Sequence, residues 1–454
     1  MAPGRLLLIS LADRQRDRCT PWWAAGLLNC GSVRIAALVS LLLCGLPAAG
    51  QSLAPGQSPE RVRLDQAIQM AIEHNHALKA TRTQIAQSQA QEITAGLHPN
   101  PVLTFDSQFV PIFSPSTFSA DALNQIQQFD VGVGYLFERG RKRQHRLEAA
   151  KDQTAVTRSQ VADAERALAL SVAAQFIGAL LAESNLQFAE LALKSFQQTA
   201  DISNERQRAG DISEGDLLKI KLQSLQFQTD LSAARLSRVQ ALAGLRQLVG
   251  YESVPANFDV EGDLVYEPLQ LNRDDLQALA LRLRPDFLAA DRAVIAAQSQ
   301  HTLAQANAKR DLNAAFNYSH VSGFSSGSFF LNIEIPIFNR NQGEIARTGY
   351  VVDQFQETRN ESSQQVLTDV VNAYEAVRTD AQVAELYTGG YLKQAQDSRD
   401  ISEYAYKHGA ASLLDFLDAE RNYRLNQIAY RQSLATYLLA LEQLRAAVGT
   451  RSLP

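Results

Sequence analysis

The chain has 454 residues, of which 46% are hydrophobic and 20% are charged, and its formal net charge at pH 7 is −5. This composition excludes a disordered or collagen-like chain, and the length is enough for two or three ordinary domains. The negative charge argues against a nucleic-acid partner.

The N-terminal segment has the pattern of a secretory leader. Arg34 precedes the apolar run 35–46, and the small residues Ala48, Ala49 and Gly50 follow it. The run is shorter than the ~20 residues that a transmembrane helix needs, so a membrane anchor is the less favoured alternative. We predict that residues 1–50 are a signal peptide, cleaved before Gln51.

The cysteines support an exported chain without thiol chemistry. Cys19, Cys30 and Cys44 all lie in the predicted leader, so the mature chain has neither disulfides nor thiolate metal sites. Cys44 follows Leu43 rather than a small residue, which argues against lipidation. Because residues 1–33 are long for the start of a leader and include Trp22, Trp23 and acidic residues, we hypothesise that translation starts downstream.

The mature chain contains two copies of one unit. Shifts of 199 to 209 residues align similar segments in the same order, which indicates a tandem duplication. The aligned pairs are 75–80 with 284–289, 136–139 with 337–340, 208–218 with 407–417, and 248–250 with 447–449. We predict a first repeat at 51–250, a linker at 251–272 rich in Pro, Gly and acidic residues, a second repeat at 273–449 and a tail at 450–454.

Each repeat is predicted to contain a helix, two strands, a very long helix and a shorter helix. Segments 141–209 and 343–408 contain no proline, and a helix of 65 or more residues would extend about 100 Å. Their small, intermittent apolar residues favour coiled-coil packing. An exported coiled-coil scaffold would show the same helical pattern.

Four segments alternate apolar and polar residues as transmembrane β-strands do, namely 103–109, 129–137, 312–319 and 329–337. No later stretch approaches 18 consecutive apolar residues, so a membrane-inserted form would be a barrel. Four strands are too few to close, whereas three protomers would supply twelve and remove the open edges. Loops 114–125 and 322–328 would then face outside. The side chains predicted to line the lumen are Asp106, Asp130, Asn317, Asn332 and Glu334.

These features together resemble the TolC-like outer-membrane factor family over residues 64–449. The local motifs are Leu-His-Pro-Asn-Pro at 97–101 and Ile-Pro-Ile-Phe-Asn-Arg-Asn-Gln-Gly at 335–343. The segment 138–143, Glu-Arg-Gly-Arg-Lys-Arg, is similar to the heavy-metal efflux subgroup of the Czc type. The resemblance implies a mainly α fold with four strands per protomer, forming a trimeric twelve-stranded barrel in the outer membrane that continues into a periplasmic helical tunnel.

The resemblance also implies the partners: two further copies of the chain, a periplasmic adaptor, an inner-membrane pump of the RND type and outer-membrane lipid. The expected function is that of the outer-membrane channel of a tripartite efflux system. The Czc-type motif favours metal cations as its cargo. Drug or solvent efflux and a type I secretion exit duct are the alternatives for the cargo.

The tips of the long helices hold the candidate gate. Gly210 and Gly409 each follow a long helix and precede a serine that can cap the next one, Ser213 or Ser412. By resemblance, Asp216, Asp415 and Asp418 would form acidic rings at the constriction and Tyr406 would belong to the gate network. Ala411 stands where the best-known gate carries an arginine, which puts its salt-bridge lock in doubt. The turns predicted to contact the adaptor contain Arg208, Gly210, Asp211, Lys407, Gly409 and Ala410.

Motifs for catalysis or cofactor binding are missing from the sequence. His74 and His76 lie two apart and would not share a helix face, and the other histidines are scattered. There is no phosphate-binding loop and no nucleophile elbow. We therefore expect no enzyme activity, cofactor or metal site.

Overall fold

A computed structural model of the chain describes residues 60–108, 113–114, 116, 119–121 and 127–453. The predicted leader, its cleavage site, Phe109 and most of the predicted loop 114–125 lie outside the described residues.

The described part of the chain is mainly helical, which confirms the predicted fold class. Two helices exceed 40 residues, and the longer has 68. In chain order the α-helices are α1 Leu64–His74, α2 His76–Gly96, α3 Lys142–Ala209, α4 Glu214–Val249, α5 Arg273–Leu283, α6 Pro285–Asn307, α7 Gln342–Leu386, α8 Leu392–Lys407 and α9 Leu413–Val448.

The strands form two sheets, one minimal and one of four strands. In chain order the strands are β1 Arg61–Val62, β2 Val102–Gln108, β3 Gln128–Phe137, β4 Asp259–Val260, β5 Leu312–Val321 and β6 Phe324–Ile333. β1 and β4 pair in parallel, while the larger sheet is antiparallel with the order β2-β3-β5-β6. Each repeat thus supplies one hairpin, the two hairpins join along β3 and β5, and β2 and β6 are left as edges.

The register of the larger sheet confirms the predicted alternation. Asp106 lies opposite Asp130, and Asp130 lies opposite Ser319 on the next strand. Asn317 lies opposite Gly132, where a Cβ atom would meet the Asn317 amide oxygen at 1.7 Å, so a larger residue there would displace the Asn317 side chain. Because side chains alternate along a strand, one face is polar and the other is apolar. The apolar face includes Leu103, Phe105, Val131, Val133, Phe316, Phe329 and Leu331, all of them exposed.

The second hairpin differs from its prediction at both ends of β6. Val321 pairs with Phe324, so the expected loop at 322–328 is wrong and the turn has two residues. Ser322 and Gly323 have φ angles of 49° and 77°, as in a type I′ turn, whose twist matches that of the flanking strands. β6 ends at Ile333 rather than near residue 337, since Pro336 has no N–H for a ladder.

The second long helix is interrupted, whereas the sequence predicted one continuous helix over 343–408. A π-helical turn, Tyr387–Tyr391, separates α7 from α8, and Gly390 within it has the non-helical angles φ 132° and ψ −15°. A helix-period pattern free of proline does not reveal such a break, because Gly389 and Gly390 are compatible with a helix at a modest cost.

Three apolar clusters hold the helices together. The first joins α1, α3 and α4 to the segment after Gly250, through Phe176, Leu245 and Phe258. The second joins α5, α7 and α9 through Leu276, Val370 and Tyr437. The third lies towards the tips of the long helices and contains Phe196, Ile220, Phe227, Tyr406, Leu413 and Phe416.

Equivalent hydrogen bonds join two helices in each half of the chain, at positions that the sequence alignment pairs. The Asn75 amide donates to the Leu248 carbonyl, and the Arg284 guanidinium donates to the Ala447 carbonyl. Asn75 and Arg284 are both N-caps, of α2 and α6. In each repeat, therefore, the start of the second helix is bound to the end of the last one.

Candidate functional site

The tips of the two helical hairpins have the predicted capping chemistry. Gly210 and Gly409 end α3 and α8 with φ angles of 83° and 75°, a region that favours glycine. Ser213 accepts a hydrogen bond from the Asp216 N–H at 3.1 Å, and Ser412 accepts one from the Asp415 N–H at 3.2 Å. The two tips are therefore built alike.

Two of the three predicted gate carboxylates act as local helix caps in the protomer. The Ser213 hydroxyl donates to Asp216 at 2.9 Å and Lys219 pairs with it at 3.1 Å; these bonds lower the pKa of Asp216. The Ser412 hydroxyl donates to Asp415 at 2.7 Å, and the Ser412 backbone N–H donates to the same carboxylate at 3.3 Å, which completes a capping box. Asp418 is exposed and has no hydrogen-bond or ion-pair partner within the described part of the chain.

Tyr406 is buried between the hairpins, with 4% of its surface exposed. Its ring stacks on Phe416 at a centroid distance of 5.4 Å, and its hydroxyl lies 3.3 Å from the Ser203 hydroxyl. Arg206 donates to the Tyr406 carbonyl at 2.8 Å and lies over its ring. These contacts tie the last turn of α3 to the last turn of α8.

Sequence reasoning missed an ion-pair network one to two turns above Tyr406. Arg399 on α8 pairs with Asp400 at 2.8 Å, with Glu403 at 3.3 Å and with Glu420 on α9 at 2.9 Å. Glu403 also pairs with Lys407 at 2.7 Å. The spacing of Arg399, Glu403 and Lys407 by four residues is a signal in the sequence that could have revealed this network.

Burial and ion pairing have opposite effects on the pKa values in this network, and the effect of ion pairing is the larger. Burial alone would lower the pKa of Arg399, but its bonds to Asp400 and Glu420 and its attraction to Glu403 raise that pKa. Burial would likewise raise the pKa of Glu403, yet hydrogen bonds from Lys407 and Thr199, together with the charge of Arg399, hold it below its ordinary value. Both side chains are therefore charged near neutral pH.

Two arginines of α9 also contribute, because they lie over aromatic rings of the first repeat. The Arg424 guanidinium lies 4.3 Å from the ring centroid of Phe227 and pairs with Asp230 on α4. Arg431 lies 4.4 Å from the ring centroid of Phe188 on α3. Arg424 and Arg431 are seven residues apart, so they share one face of α9 and join the two hairpins.

The predicted adaptor turns form the exposed ends of the tips. Arg208 pairs with Glu205 at 2.8 Å, and Lys407 pairs with Glu403. Gly210, Asp211, Gly409 and Ala410 are also exposed. Ala411 has no charged side chain. The arginine that contacts this tip is Arg206 of the other hairpin, which donates to the Tyr406 carbonyl. The roles of these turns stay predictions.

Four of the five residues predicted to face the lumen share the polar face of the four-stranded sheet. Asp106, Asp130, Asn317 and Asn332 lie on this face by the register. Glu334 lies just beyond the end of β6 and pairs with Arg310 at 3.1 Å, so it belongs to the junction with the helices rather than to the strand.

The described residues include no cluster of three or more His, Cys, Asp or Glu that could hold a metal ion. Among these same residues, α3 is long and apolar enough to cross a membrane by length and composition alone. One such helix is weak support for a membrane span, since a core helix passes the same test.

Comparison with known proteins gives a clear family match. The family model described as "Outer membrane efflux protein" matches residues 67–251 and 276–450. The cation efflux system protein CusC of Escherichia coli (strain K12) is 28% identical over 276 residues, which are 56% of this chain and 58% of CusC. The chain therefore aligns with somewhat more than half of that relative's length.

Two further proteins extend the likeness over most of the chain. The cobalt-zinc-cadmium resistance protein CzcC of Cupriavidus metallidurans is 23% identical over 396 residues, 83% of this chain and 87% of CzcC. A solved structure of CusC superposes with a TM-score of 0.72 at 20% identity, covering 88% of this chain and 96% of that one. This structural likeness shows a shared fold.

Proposed function

The chain belongs to the outer membrane efflux protein family, and we propose that three copies of it form the outer-membrane channel of a tripartite efflux system. It is a protein of the outer membrane, with its long helices in the periplasm. In the proposed system the channel docks to a periplasmic adaptor that serves an inner-membrane pump of the RND type. The channel conducts cargo and catalyses no reaction.

The observation that carries this proposal is the unfinished four-stranded sheet. Its apolar face exposes large side chains, its opposite face is polar, and β2 and β6 have unpaired edges. Neither the apolar face nor the open edges are tolerated in isolation, because each exposes groups that need a partner. Three copies joined β2 to β6 close a twelve-stranded barrel with a polar lumen and a lipid-facing wall.

The helix tips supply the proposed gate. Asp418 is an exposed carboxylate without a hydrogen-bond or ion-pair partner in the described part of the protomer, so three copies would form an acidic ring that favours cations. Contacts among Tyr406, Arg206 and Ser203 hold α8 against α3. The capped first turns of α4 and α9 contain Asp216 and Asp415. The exposed turns at 208–211 and 407–410 contact the adaptor in this proposal.

Metal cations are the proposed cargo. The support is the Glu138–Arg143 motif, the likeness to the cation efflux protein CusC and the cobalt-zinc-cadmium resistance protein CzcC, and the acidic residues on the polar face. Metal-sensitive host cells with a matching pump and adaptor should regain growth on cobalt, zinc or cadmium salts when the chain is expressed. Rescue on organic drugs or solvents alone would assign the other cargo class.

The first test of the channel uses the full-length chain with a C-terminal tag. Outer membranes extracted in mild detergent should yield heat-resistant trimers by mass, and these should conduct ions in planar bilayers. A soluble monomer or dimer without conductance would refute the channel and favour the alternative of an exported coiled-coil structural protein.

A further inference from the structure

The junction between the strands and the long helices is unusually basic, and the proposed channel function does not explain why. The segment 138–141 joins β3 to α3, and the segment 334–341 joins β6 to α7. The short link from α6 to β5 lies beside the first of these, since Lys309 packs against Gly140 and Asp311 accepts the Arg139 N–H at 2.9 Å.

Carboxylates at this junction are already neutralised within the protomer. Glu138 pairs with Arg146 at 2.6 Å, and Asp311 pairs with Lys142 at 2.7 Å. The third, Glu334, pairs with Arg310. These pairs account for the acidic groups that could have balanced the neighbouring cations.

Four exposed cations are left over, and we call them the basic collar: Arg139, Arg141, Lys309 and Arg340. Within the described part of the chain none of them pairs with a carboxylate; the Arg340 guanidinium donates only to the Pro336 carbonyl. Exposed cations that cluster without acids repel one another, so a stable assembly benefits from an anionic partner at this level.

Large apolar side chains lie next to the basic collar. Ile335, Ile337 and Phe338 follow β6 and are 74%, 63% and 89% exposed, and Phe137 at the end of β3 is 49% exposed. A strand of ten residues spans about 33 Å, which when tilted matches the ~25 Å apolar band of an outer-membrane barrel. The collar therefore lies where the hydrocarbon of the membrane ends.

We propose that the basic collar binds anionic phospholipid headgroups of the periplasmic leaflet and fixes the depth of the barrel in the membrane. This inference depends on the proposed membrane-embedded channel. The partner is a lipid rather than free phosphate because the collar lies on an open surface beside apolar side chains that acyl chains would cover. Arginine guanidinium groups bind phosphate through two parallel hydrogen bonds, which suits Arg139, Arg141 and Arg340.

The test is lipid retention by the purified trimer. Delipidated wild-type protein is mixed with equal amounts of dioleoylphosphatidylglycerol and dioleoylphosphatidylcholine, purified again, and its bound lipids are quantified by mass spectrometry. The anionic lipid should be enriched about fivefold, and high salt should abolish the enrichment. The variant R139Q/R141Q/K309Q/R340Q should retain both lipids equally.

The matched control removes four exposed cations from the helical part, as K194Q/K221Q/K393Q/R421Q. It should keep the wild-type enrichment. Equal retention of both lipids by the wild type, or equal loss in both variants, would overturn the inference. Loss of the enrichment on adding inorganic phosphate at constant ionic strength would point to a soluble phosphate site instead.

Failure of the proposed channel would be visible separately. A wild-type chain that forms no conducting trimer refutes the channel, whereas a conducting trimer without lipid preference refutes only the collar. If the collar variant does not assemble, the salt dependence of lipid enrichment by the wild type tests the collar. Enrichment that persists in high salt is not electrostatic and would refute the inference.

Discussion

At the scale of single residues, the candidate gate depends on side chains whose roles differ from what the sequence alone indicates. Asp216 and Asp415 were predicted as ring carboxylates, yet in the protomer both are occupied by a capping serine. Glu420 has no such signal in the sequence, and the four-residue spacing of Glu403 from Arg399 was overlooked, yet both carboxylates lie in the ion-pair network around Arg399. A sequence shows a carboxylate but not whether a neighbouring helix supplies its partner.

The pairing of Glu403 predicts an acid-sensitive helix tip. Because its pKa in the folded tip is below the ordinary value of 4.5, the folded state binds fewer protons than the unfolded state. Its stabilising contribution is complete above that ordinary value and is lost as the pH falls through the lowered pKa. E403Q should cost about 1–3 kcal/mol near neutral pH and flatten the pH dependence of thermal unfolding measured by circular dichroism.

The control for this variant is E361Q, an exposed glutamate of α7 without an ion-pair partner among the described residues. Its unfolding should follow the wild-type curve from acid to neutral pH. Identical curves for E403Q and E361Q would contradict the role given to the Arg399 network.

The effect of Asp418 on ion selectivity should be easier to separate from effects on stability than the effect of Asp415. D418N removes a charge without removing a cap, so trimers should assemble normally while their preference for cations over anions falls. The measurement is the reversal potential in planar bilayers under a salt gradient. D415A removes the carboxylate that accepts the Ser412 N–H in the capping box, which costs about 1 kcal/mol, so it should alter stability as well. An unchanged reversal potential in D418N would remove Asp418 from the gate.

At the scale of elements, the sequence was informative where a period repeats over many residues. The alternation of Phe129 to Phe137 and the proline-free run of α3 predicted a strand and a helix that the structure confirms. The errors occur where one or two residues decide the backbone. Ser322 and Gly323 make a tight turn that was predicted as a longer loop, and Gly390 ends a helix whose period continues on both sides.

The break at Gly390 allows a sharp test with its own neighbour as control. Gly389 and Gly390 both have open space where a Cβ would stand, but only Gly390 has a positive φ. G390A should therefore destabilise the tip by about 1–3 kcal/mol or straighten the helix, whereas G389A should be neutral or slightly stabilising. Thermal unfolding and single-channel conductance measure both outcomes. Equal behaviour of the two variants would show that the π-turn tolerates any residue.

At the scale of the whole molecule, the central feature is a sheet that one protomer cannot complete. The polar and apolar faces were predictable from alternation, whereas the proposed closure by three copies is argued from the open edges of β2 and β6 rather than from any single residue. The cargo is not encoded in this way, because in the proposed system a polar lumen would select weakly and the pump would choose what enters.

The two faces of β6 give the test of membrane insertion. F329R places a charge on the apolar face at the middle of the strand and should cost about 2–4 kcal/mol, which prevents outer-membrane assembly. S328R changes the adjacent residue on the polar face and should assemble and conduct, with altered selectivity. The measurement is the amount of heat-resistant trimer in the outer-membrane fraction. Equal yields of F329R and S328R would mean that the apolar face does not meet lipid.

The two-residue turn at Ser322 and Gly323 has a consequence for how the cell surface sees this protein. In the proposed orientation the second repeat presents only this two-residue turn between its strands at the outer rim. In the first repeat, Gln108 and Gln128 pair at the same edge of the sheet, and residues 109–127 separate them in the sequence. Antibodies and phages that bind the second half at this rim would therefore have only two residues between its strands to recognise.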